Sequence, residues 1–249
     1  TLEAVNFTRA RSEWTLLDPS LKPDFDALAK VRNGDFDVVS RDLADQTWLV
    51  AYVVDDGPVY YYTYDRASRK ADLLFSNRAA LEKYKLAPMQ PISFKARDGL
   101  TIHGYLTLPV GLPPKNLPMV LNVHGGPWGR DSWGLDPEAQ WLANRGFAVL
   151  QVNFRGSTGY GKKFLNAGDR EWAGTMHNDL LDAKRWAVTQ GYADPKRICI
   201  YGGSFGGFDL SKMLQTMGVL GPYANQYTLE VARSLARPGT LLGCWVGGG

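Results

Sequence analysis

The chain has 249 residues, 45% of them hydrophobic, and can therefore bury a substantial core in one or two domains. Its 28 basic and 25 acidic residues give a net charge of +3 and are spread along the chain, so a nucleic-acid partner is not expected. No apolar run reaches the roughly 18 residues of a membrane-spanning helix, so a membrane partner is not expected either.

The first predicted elements are four short strands between Phe36 and Ser76. The runs DFDVVS, TWLVAYVV, VYYYTYD and ADLLFS are rich in aromatic and β-branched residues and are separated by turn signals. Four antiparallel strands in about forty residues match one blade of a β-propeller, whereas a closed propeller needs at least ~4 blades. Residues 1–86 are therefore predicted to be part of a propeller, its last blade or so, with a linker at Leu81 to Pro91.

After the linker, strands and helices alternate. ISFKARDGLTIHGYLTLP predicts a hairpin around Asp98-Gly99, and PMVLNV and FAVLQVNF predict two buried strands. The segment DPEAQWLANRG predicts a helix capped by Asp136, and TMHNDLLDAKRWAVTQG predicts a helix with one apolar stripe. The stripe comprises Met176, Leu180, Ala183 and Ala187. This alternation predicts α/β sheet organisation.

The stretch ICIYGGSFGGFDL places Ser204 in a G-x-S-x-G pattern between a predicted strand and a predicted helix. A serine on such a strained turn is lifted clear of the sheet, and glycines on either side remove side chains that would clash. The amide of Phe205 then points to where an oxyanion would form. The alternative is a glycine-rich turn that caps a helix, which the flanking strand and helix disfavour.

A second motif, His124-Gly125-Gly126-Pro127, follows the apolar strand MVLNV. An α/β hydrolase supplies the other half of its oxyanion hole from a loop of this HGG type. The alternative is a plain turn in which His124 is a structural histidine. With the serine motif later in the same sheet pattern, His124, Gly125 and Gly126 are predicted to bind the oxyanion or the substrate.

Four motifs occur in order along the chain: HGGPWG, NFRGSTGYG, WAGTMHNDLLDA and DPKRICIYGGSFGG. Together they resemble the catalytic domain of the prolyl oligopeptidase family of serine peptidases, nearest its acylaminoacyl-peptidase and dipeptidyl-peptidase branch, over about residues 91–208. The resemblance implies that Ser204 is the nucleophile, Phe205 the backbone oxyanion donor and residues 124–126 the opposing oxyanion loop. It also implies a propeller that restricts access to peptide-sized substrates, and a structural role for NFRGSTGYG, with Arg155 as a candidate ion-pair partner near the site.

The catalytic base is missing from its expected place. Hydrolases of this fold order their triad as Ser, then Asp or Glu, then His, and no histidine follows Ser204. The three histidines present are interpreted as an exposed strand residue (His103), a loop residue (His124) and a helix-surface residue (His177).

The triad carboxylate is not recognisable either. Asp209 comes too soon after Ser204, and Glu230 lies in a predicted surface helix. We therefore expect a partial α/β hydrolase, truncated after the nucleophile elbow, preceded by part of a β-propeller. Its catalytic part is predicted at 87–249, with 211–249 of unrecognised character.

These patterns favour a serine peptidase that hydrolyses short or N-acylated peptides through an acyl-enzyme at Ser204. The missing histidine leaves open an inactive fragment or a non-catalytic peptide-binding relative, and the elbow with its HGG loop leaves open a carboxylesterase. A peptide substrate is the expected partner, and no metal or organic cofactor is implied. Cys199 and Cys244 do not favour a disulfide scaffold. The compartment, oligomeric state, and choice between exopeptidase and endopeptidase stay open.

Overall fold

The computed structural model describes residues 2–208, 219–220 and 241–242. It divides into two compact units. One takes the residues up to Met89 together with Ser132–Gln140, and the other takes Gln90–Asp131 and the described residues from Trp141 onward. The assignment of 1–86 and 87–249 to two functional domains stays a prediction.

The first unit contains a hairpin, a short helix and a four-stranded antiparallel sheet of order β3-β4-β5-β6. The elements are β1 (Ala4–Thr8), β2 (Ser12–Leu16), α1 (Lys22–Leu28), β3 (Asp35–Arg41), β4 (Thr47–Val53), β5 (Tyr60–Asp65) and β6 (Lys70–Ser76). The predicted four-stranded meander is confirmed. The β1–β2 hairpin and α1 were not predicted, because neither has a long periodic pattern.

One face of this sheet packs on α1. Trp48, Tyr52 and Tyr64 of the sheet are fully buried, and Phe25 of α1 lies edge-on to Trp48 with ring centroids 6.3 Å apart. The Tyr64 hydroxyl donates to the buried Asp24 carboxylate at 2.9 Å. The core of the blade is therefore aromatic and is closed by a helix that precedes it in the chain.

The second unit contains a five-stranded mixed sheet of order β11-β9-β10-β8-β7. In chain order, the elements from Met89 to Phe208 are β7 (Met89–Lys95), β8 (Thr101–Thr107), β9 (Leu117–Val123), α2 (Pro137–Ala143), β10 (Ala148–Asn153), α3 (Lys162–Asn166), α4 (Thr175–Thr189), β11 (Ala193–Gly202) and α5 (Phe205–Phe208). The first residues of α2 lie in the segment Ser132–Gln140, which belongs to the first unit. Two short strands, β12 (Val219–Leu220) and β13 (Leu241–Leu242), pair in parallel. The predicted linker, Leu81 to Pro91, extends too far, because its last residues belong to β7, which begins at Met89.

The middle of the sheet positions the candidate site. β10 pairs in parallel with β9, and β9 pairs in parallel with β11, so the carboxyl ends of these three strands meet at one edge. The predicted α4 stripe is buried as expected, and the Asp136 carboxylate caps α2 by accepting from the Ala139 amide at 2.8 Å. Among the described residues, no helix is long and apolar enough to cross a membrane.

Candidate active site

Ser204 lies on the sharp turn between β11 and α5, with an exposed side chain and a φ of 53°. A side chain in this left-handed region is strained by about 1–2 kcal/mol. The glycines on either side are required by space: a Cβ at Gly202 or at Gly206 would lie 2.4 Å from the carbonyl oxygen of Val123, at the end of β9. The G-x-S-x-G spacing therefore fits the close approach of this turn to the neighbouring strand.

The HGG loop, defined here as residues 124–129, follows β9 and lies against the elbow. A Cβ at Gly125 would lie 3.2 Å from Ser204 Cβ and 3.3 Å from the Gly203 carbonyl oxygen. Phe205 begins α5, and the first amides of a helix have no acceptor within that helix. The structure therefore brings together Ser204, the Phe205 amide and Gly125, which are three of the residues predicted from the sequence.

His124 is held by hydrogen bonds at both ring nitrogens. Nδ1 lies 2.8 Å from the Gly125 carbonyl oxygen, and Nε2 lies 2.9 Å from Ser157 Oγ. The ring stacks on Phe154 with centroids 4.5 Å apart. Burial, aided by the nearby Arg130 charge, lowers the pKa of His124. Because both nitrogens are engaged elsewhere, the imidazole is built into the wall of the site and does not act as the base for Ser204.

The NFRGS loop, residues 153–161, is hydrogen-bonded to the HGG loop and to the residues that follow it. The Thr158 amide donates to the Gly129 carbonyl at 3.0 Å, and the Asp131 amide, two residues beyond the HGG loop, donates to Asn153 Oδ1 at 2.7 Å. Asn153 Nδ2 in turn donates to the Tyr160 hydroxyl at 2.8 Å. These bonds explain the second glycine-rich motif as a scaffold for the first.

The predicted ion pair of Arg155 is confirmed, and the structure identifies its partners. Asp179 of α4, which has no exposed surface, accepts from the Arg155 amide at 3.0 Å, from Nε at 2.8 Å and from Nη2 at 2.7 Å. Nη1 donates to Asp98 at 2.7 Å. The hydrogen bonds with Asp179 hold the pKa of Arg155 above its usual range. One turn along α4, Asp182 binds the amide and the guanidinium of Arg97 in the same pattern.

Two of the three histidine interpretations were wrong. His177 is buried in α4, with only 6% of its surface exposed, because the buried face of that helix is wider than its apolar stripe. His103 is half-buried rather than exposed, and its ring stacks on Tyr160 at 4.4 Å. Burial lowers the pKa of His103, and Arg130 adds to the effect.

Within residues 2–208, no side chain is hydrogen-bonded to Ser204 Oγ. Asp209 and Glu230, the two acids weighed as triad members, lie outside the described residues, as does Cys244. In the part of the chain that the structure describes, no group of three or more His, Cys, Asp or Glu side chains is arranged to hold a metal ion.

Aromatic side chains surround the elbow. Phe205 contacts Phe154 at a centroid distance of 5.1 Å and meets Trp172 edge-on at 5.4 Å. Trp172 also contacts Trp128 of the HGG loop at 6.0 Å. Both tryptophans keep a large exposed surface, 43% and 58% respectively. This aromatic rim was not predicted from the sequence, although Trp128 lies in the HGGPWG motif and Trp172 in the WAGTMHNDLLDA motif.

Comparisons with known proteins agree with this geometry. A family model described as the prolyl oligopeptidase family matches residues 133–218. The dipeptidyl aminopeptidase BIII of Pseudoxanthomonas mexicana is 48% identical over 83% of this chain and 31% of its own length. Dipeptidyl peptidase family member 6 of Caenorhabditis elegans is 38% identical over 84% of this chain and 31% of its own length. The chain thus spans about a third of the length of these relatives.

A solved structure supports the fold. The acylaminoacyl peptidase of Pyrococcus horikoshii superposes with a TM-score of 0.67, at 22% identity, over 88% of this chain and 35% of its own. The predicted fold, a partial α/β hydrolase preceded by part of a β-propeller, is confirmed.

Proposed function

Because the chain belongs to the prolyl oligopeptidase family of serine peptidases, we propose that it forms the nucleophile-bearing part of a peptidase acting on short or N-acylated peptides. One observation carries the proposal. Ser204 is held at a φ of 53°, exposed, on a strand-to-helix turn that packs against Gly125. Strain of this kind is retained where the surrounding structure enforces it, and it presents the hydroxyl at the edge of the sheet.

The chemistry follows from that placement. Ser204 Oγ attacks the carbonyl carbon of the scissile peptide bond and gives up its proton to a general base. The tetrahedral oxyanion accepts hydrogen bonds from the Phe205 amide and from the HGG loop that begins at His124 and includes Gly125 and Gly126. The amine leaves with a proton, and water hydrolyses the resulting acyl-enzyme at Ser204.

None of the histidines in this sequence is placed to serve as the general base for Ser204. No histidine follows Ser204, both nitrogens of His124 are engaged, and His177 is buried within α4. Loss of the triad lowers the rate of hydrolysis by several orders of magnitude. A serine without a positioned base keeps only the rate enhancement that comes from the oxyanion donors and from substrate binding.

Three observations support the substrate class. The two curated relatives are named as dipeptidyl peptidases, which act on peptides. Trp172 lies beside Phe205 and contacts Trp128, and the exposed faces of the two tryptophans offer apolar surface to a peptide side chain. The partial β-propeller that precedes the hydrolase unit in the sequence favours a peptidase over a carboxylesterase.

A chimaeric protein, called the transplant below, tests the proposal. In it, the residues of the Pseudoxanthomonas relative that match this chain are replaced by the residues of this chain. Hydrolysis of dipeptidyl-4-nitroanilides and of N-acetylaminoacyl-4-nitroanilides by this protein is then measured. We expect peptide hydrolysis that is lost on Ser204→Ala, with the unaltered relative as the positive control. A folded transplant that cleaves only 4-nitrophenyl esters would favour the carboxylesterase, and one that cleaves neither class would favour a non-catalytic peptide binder.

A further inference from the structure

Trp172 is carried by a strained loop, the WAG loop, defined here as residues 167–174 between α3 and α4. Arg170, two residues before it, has a φ of 61°, and Ala173, directly after it, has a φ of 56°. Neither residue is a glycine, and a side chain in this left-handed region is disfavoured. Strain of this kind persists only where the surrounding structure enforces it, and it is concentrated at active sites and ligand-binding segments. The strain therefore marks Trp172 as a residue that the loop holds in a set place.

The WAG loop is anchored on both sides of Trp172. A Cβ at Gly168 would lie 2.7 Å from Gly156 Cα, so the start of the loop packs directly on the backbone of the NFRGS loop. Toward the other end, the Glu171 carboxylate accepts from the Thr175 amide at 3.0 Å and from the Thr175 hydroxyl at 2.8 Å. These contacts fix the backbone around Trp172 through groups other than its indole.

The indole of Trp172 lies at the elbow. It meets Phe205, the residue that follows Ser204, edge-on with ring centroids 5.4 Å apart. It also contacts Trp128, three residues after Gly125 in the HGG loop, with ring centroids 6.0 Å apart. The Phe205 ring is buried, whereas both indoles keep a large exposed surface. The two tryptophans thus come from two loops, and each is next to a group that is proposed to bind the oxyanion.

Two exposed indoles in contact form an apolar surface beside the reacting carbonyl. A tryptophan that only filled the core would be buried, as Trp48 is in the blade, and an exposed apolar patch commonly marks a binding site. The oxyanion donors fix where the scissile carbonyl lies, and the side chains of the two residues that it joins begin within a few bonds of its carbon. A phenyl or branched aliphatic side chain would cover these indoles and leave water, whereas a methyl group would cover little of them.

We propose that Trp172, together with Trp128, is a specificity-determining residue: the two indoles form a subsite for an aromatic or large aliphatic side chain of a residue that flanks the scissile bond. The proposal rests on the proposed function for the identity of that bond. Binding at the subsite needs no reaction at Ser204 and can be measured on its own.

The test is a titration of the ¹⁵N-labelled 249-residue chain with N-acetyl-L-phenylalanine amide, followed through the indole N–H peaks of its eight tryptophans. Trp172→Phe and Trp128→Phe assign the two relevant peaks. We expect these two peaks to shift saturably and the others to stay in place. N-acetyl-L-alanine amide should bind roughly tenfold more weakly, and so should N-acetyl-L-glutamine amide, which has a polar side chain of similar length.

Two variants sharpen the titration. Trp172→Ala should weaken binding of the phenylalanine amide by about tenfold, measured on the Trp128 peak. Trp141→Ala is the matched control, because it removes an indole of comparable exposure, 57%, that lies on α2 with the Arg145 guanidinium 4.3 Å from its ring centroid. It should leave binding unchanged.

The unaltered chain alone can overturn the proposal, so the test does not depend on the folding of a variant. Absence of saturable shifts at Trp172 and Trp128, or equally strong binding of the alanine amide, would do so, and so would unchanged binding by a folded Trp172→Ala. Fluorophosphonate labelling of Ser204 in the same sample separates the two proposals. Labelling without binding of the phenylalanine amide refutes the subsite alone, whereas binding without labelling supports the subsite and refutes the nucleophile.

Discussion

Replacing Asp179 by asparagine should destabilise the hydrolase unit severely. Asp179 is fully buried and accepts three hydrogen bonds from Arg155, whose side chain is only 8% exposed. Removing one partner of such a pair leaves a buried charge uncompensated and costs about 3–5 kcal/mol. The pair with Asp98 remains, but that carboxylate is 44% exposed and offsets little of the loss.

α4 supplies a matched control one turn away. Asp182 binds the amide and guanidinium of Arg97 in the same pattern, yet the Arg97 side chain is 42% exposed. Water can solvate that guanidinium once its partner is gone, so Asp182→Asn should cost about 1–2 kcal/mol. The helix and the substitution are the same, and each aspartate binds the amide and guanidinium of one arginine. The extra partners are solvent-exposed, with Asp98 44% and Arg185 70% exposed, so the difference between the variants mainly reports the burial of the arginine.

Urea unfolding followed by circular dichroism and tryptophan fluorescence measures both variants. A loss of 3–5 kcal/mol corresponds to a fall in Tm of about 6–20 °C for a unit of this size. Equal losses for Asp179→Asn and Asp182→Asn, or a loss below about 1 kcal/mol for the first, would refute the argument that a buried ion pair anchors the NFRGS loop.

Three further changes test the site and its scaffold. Gly206→Ala should lower stability by about 1–3 kcal/mol, because its Cβ would lie 2.4 Å from the Val123 carbonyl, and an unchanged urea midpoint would contradict this contact. Ser204→Gly should be more stable than Ser204→Ala by up to about 1 kcal/mol, since only glycine relieves a φ of 53°; calorimetry that ranks the alanine variant higher would argue against strain at the elbow. Hydrogen bonding from Arg155 holds the pKa of Asp98 below its ordinary value of 3.8, so the carboxylate stabilises the fold above that pH and this contribution is lost as the pH falls through the lowered folded value. Asp98→Asn should therefore flatten the dependence of Tm on pH below about pH 4, and parallel profiles for the variant and the unaltered chain would contradict the pairing.

The strands of the meander and the turn at Ser204 could be predicted from the sequence, because the residue patterns that indicate them lie within short segments of the chain. The meander from β3 to β6 follows from β-rich runs separated by turn residues, and the elbow at Ser204 follows from glycines between a strand and a helix. These patterns depend on residues within one or two turns of each other.

The support of the site could not be predicted in the same way. Asp179 and His177 face the core although they are polar, and for Asp179 the reason is a partner 24 residues earlier in the chain. Ser157 and His124 are 33 residues apart. A single sequence shows which residues can pair, whereas the choice of partner depends on how the strands and loops meet in three dimensions.

Ser204 is proposed as the nucleophile, with the Phe205 amide and the HGG loop as its oxyanion donors. The most direct test of this proposal is treatment of the 249-residue chain with a fluorophosphonate probe, with the modified residue located by mass spectrometry and Ser204→Ala as control. Oxyanion donors and binding alone preserve about 10³–10⁴-fold of rate enhancement when a triad is lost. The adduct should therefore form at Ser204 in preference to every other exposed serine, and should disappear in the variant. Adducts spread over other serines with none at Ser204, in a folded chain, would contradict the account.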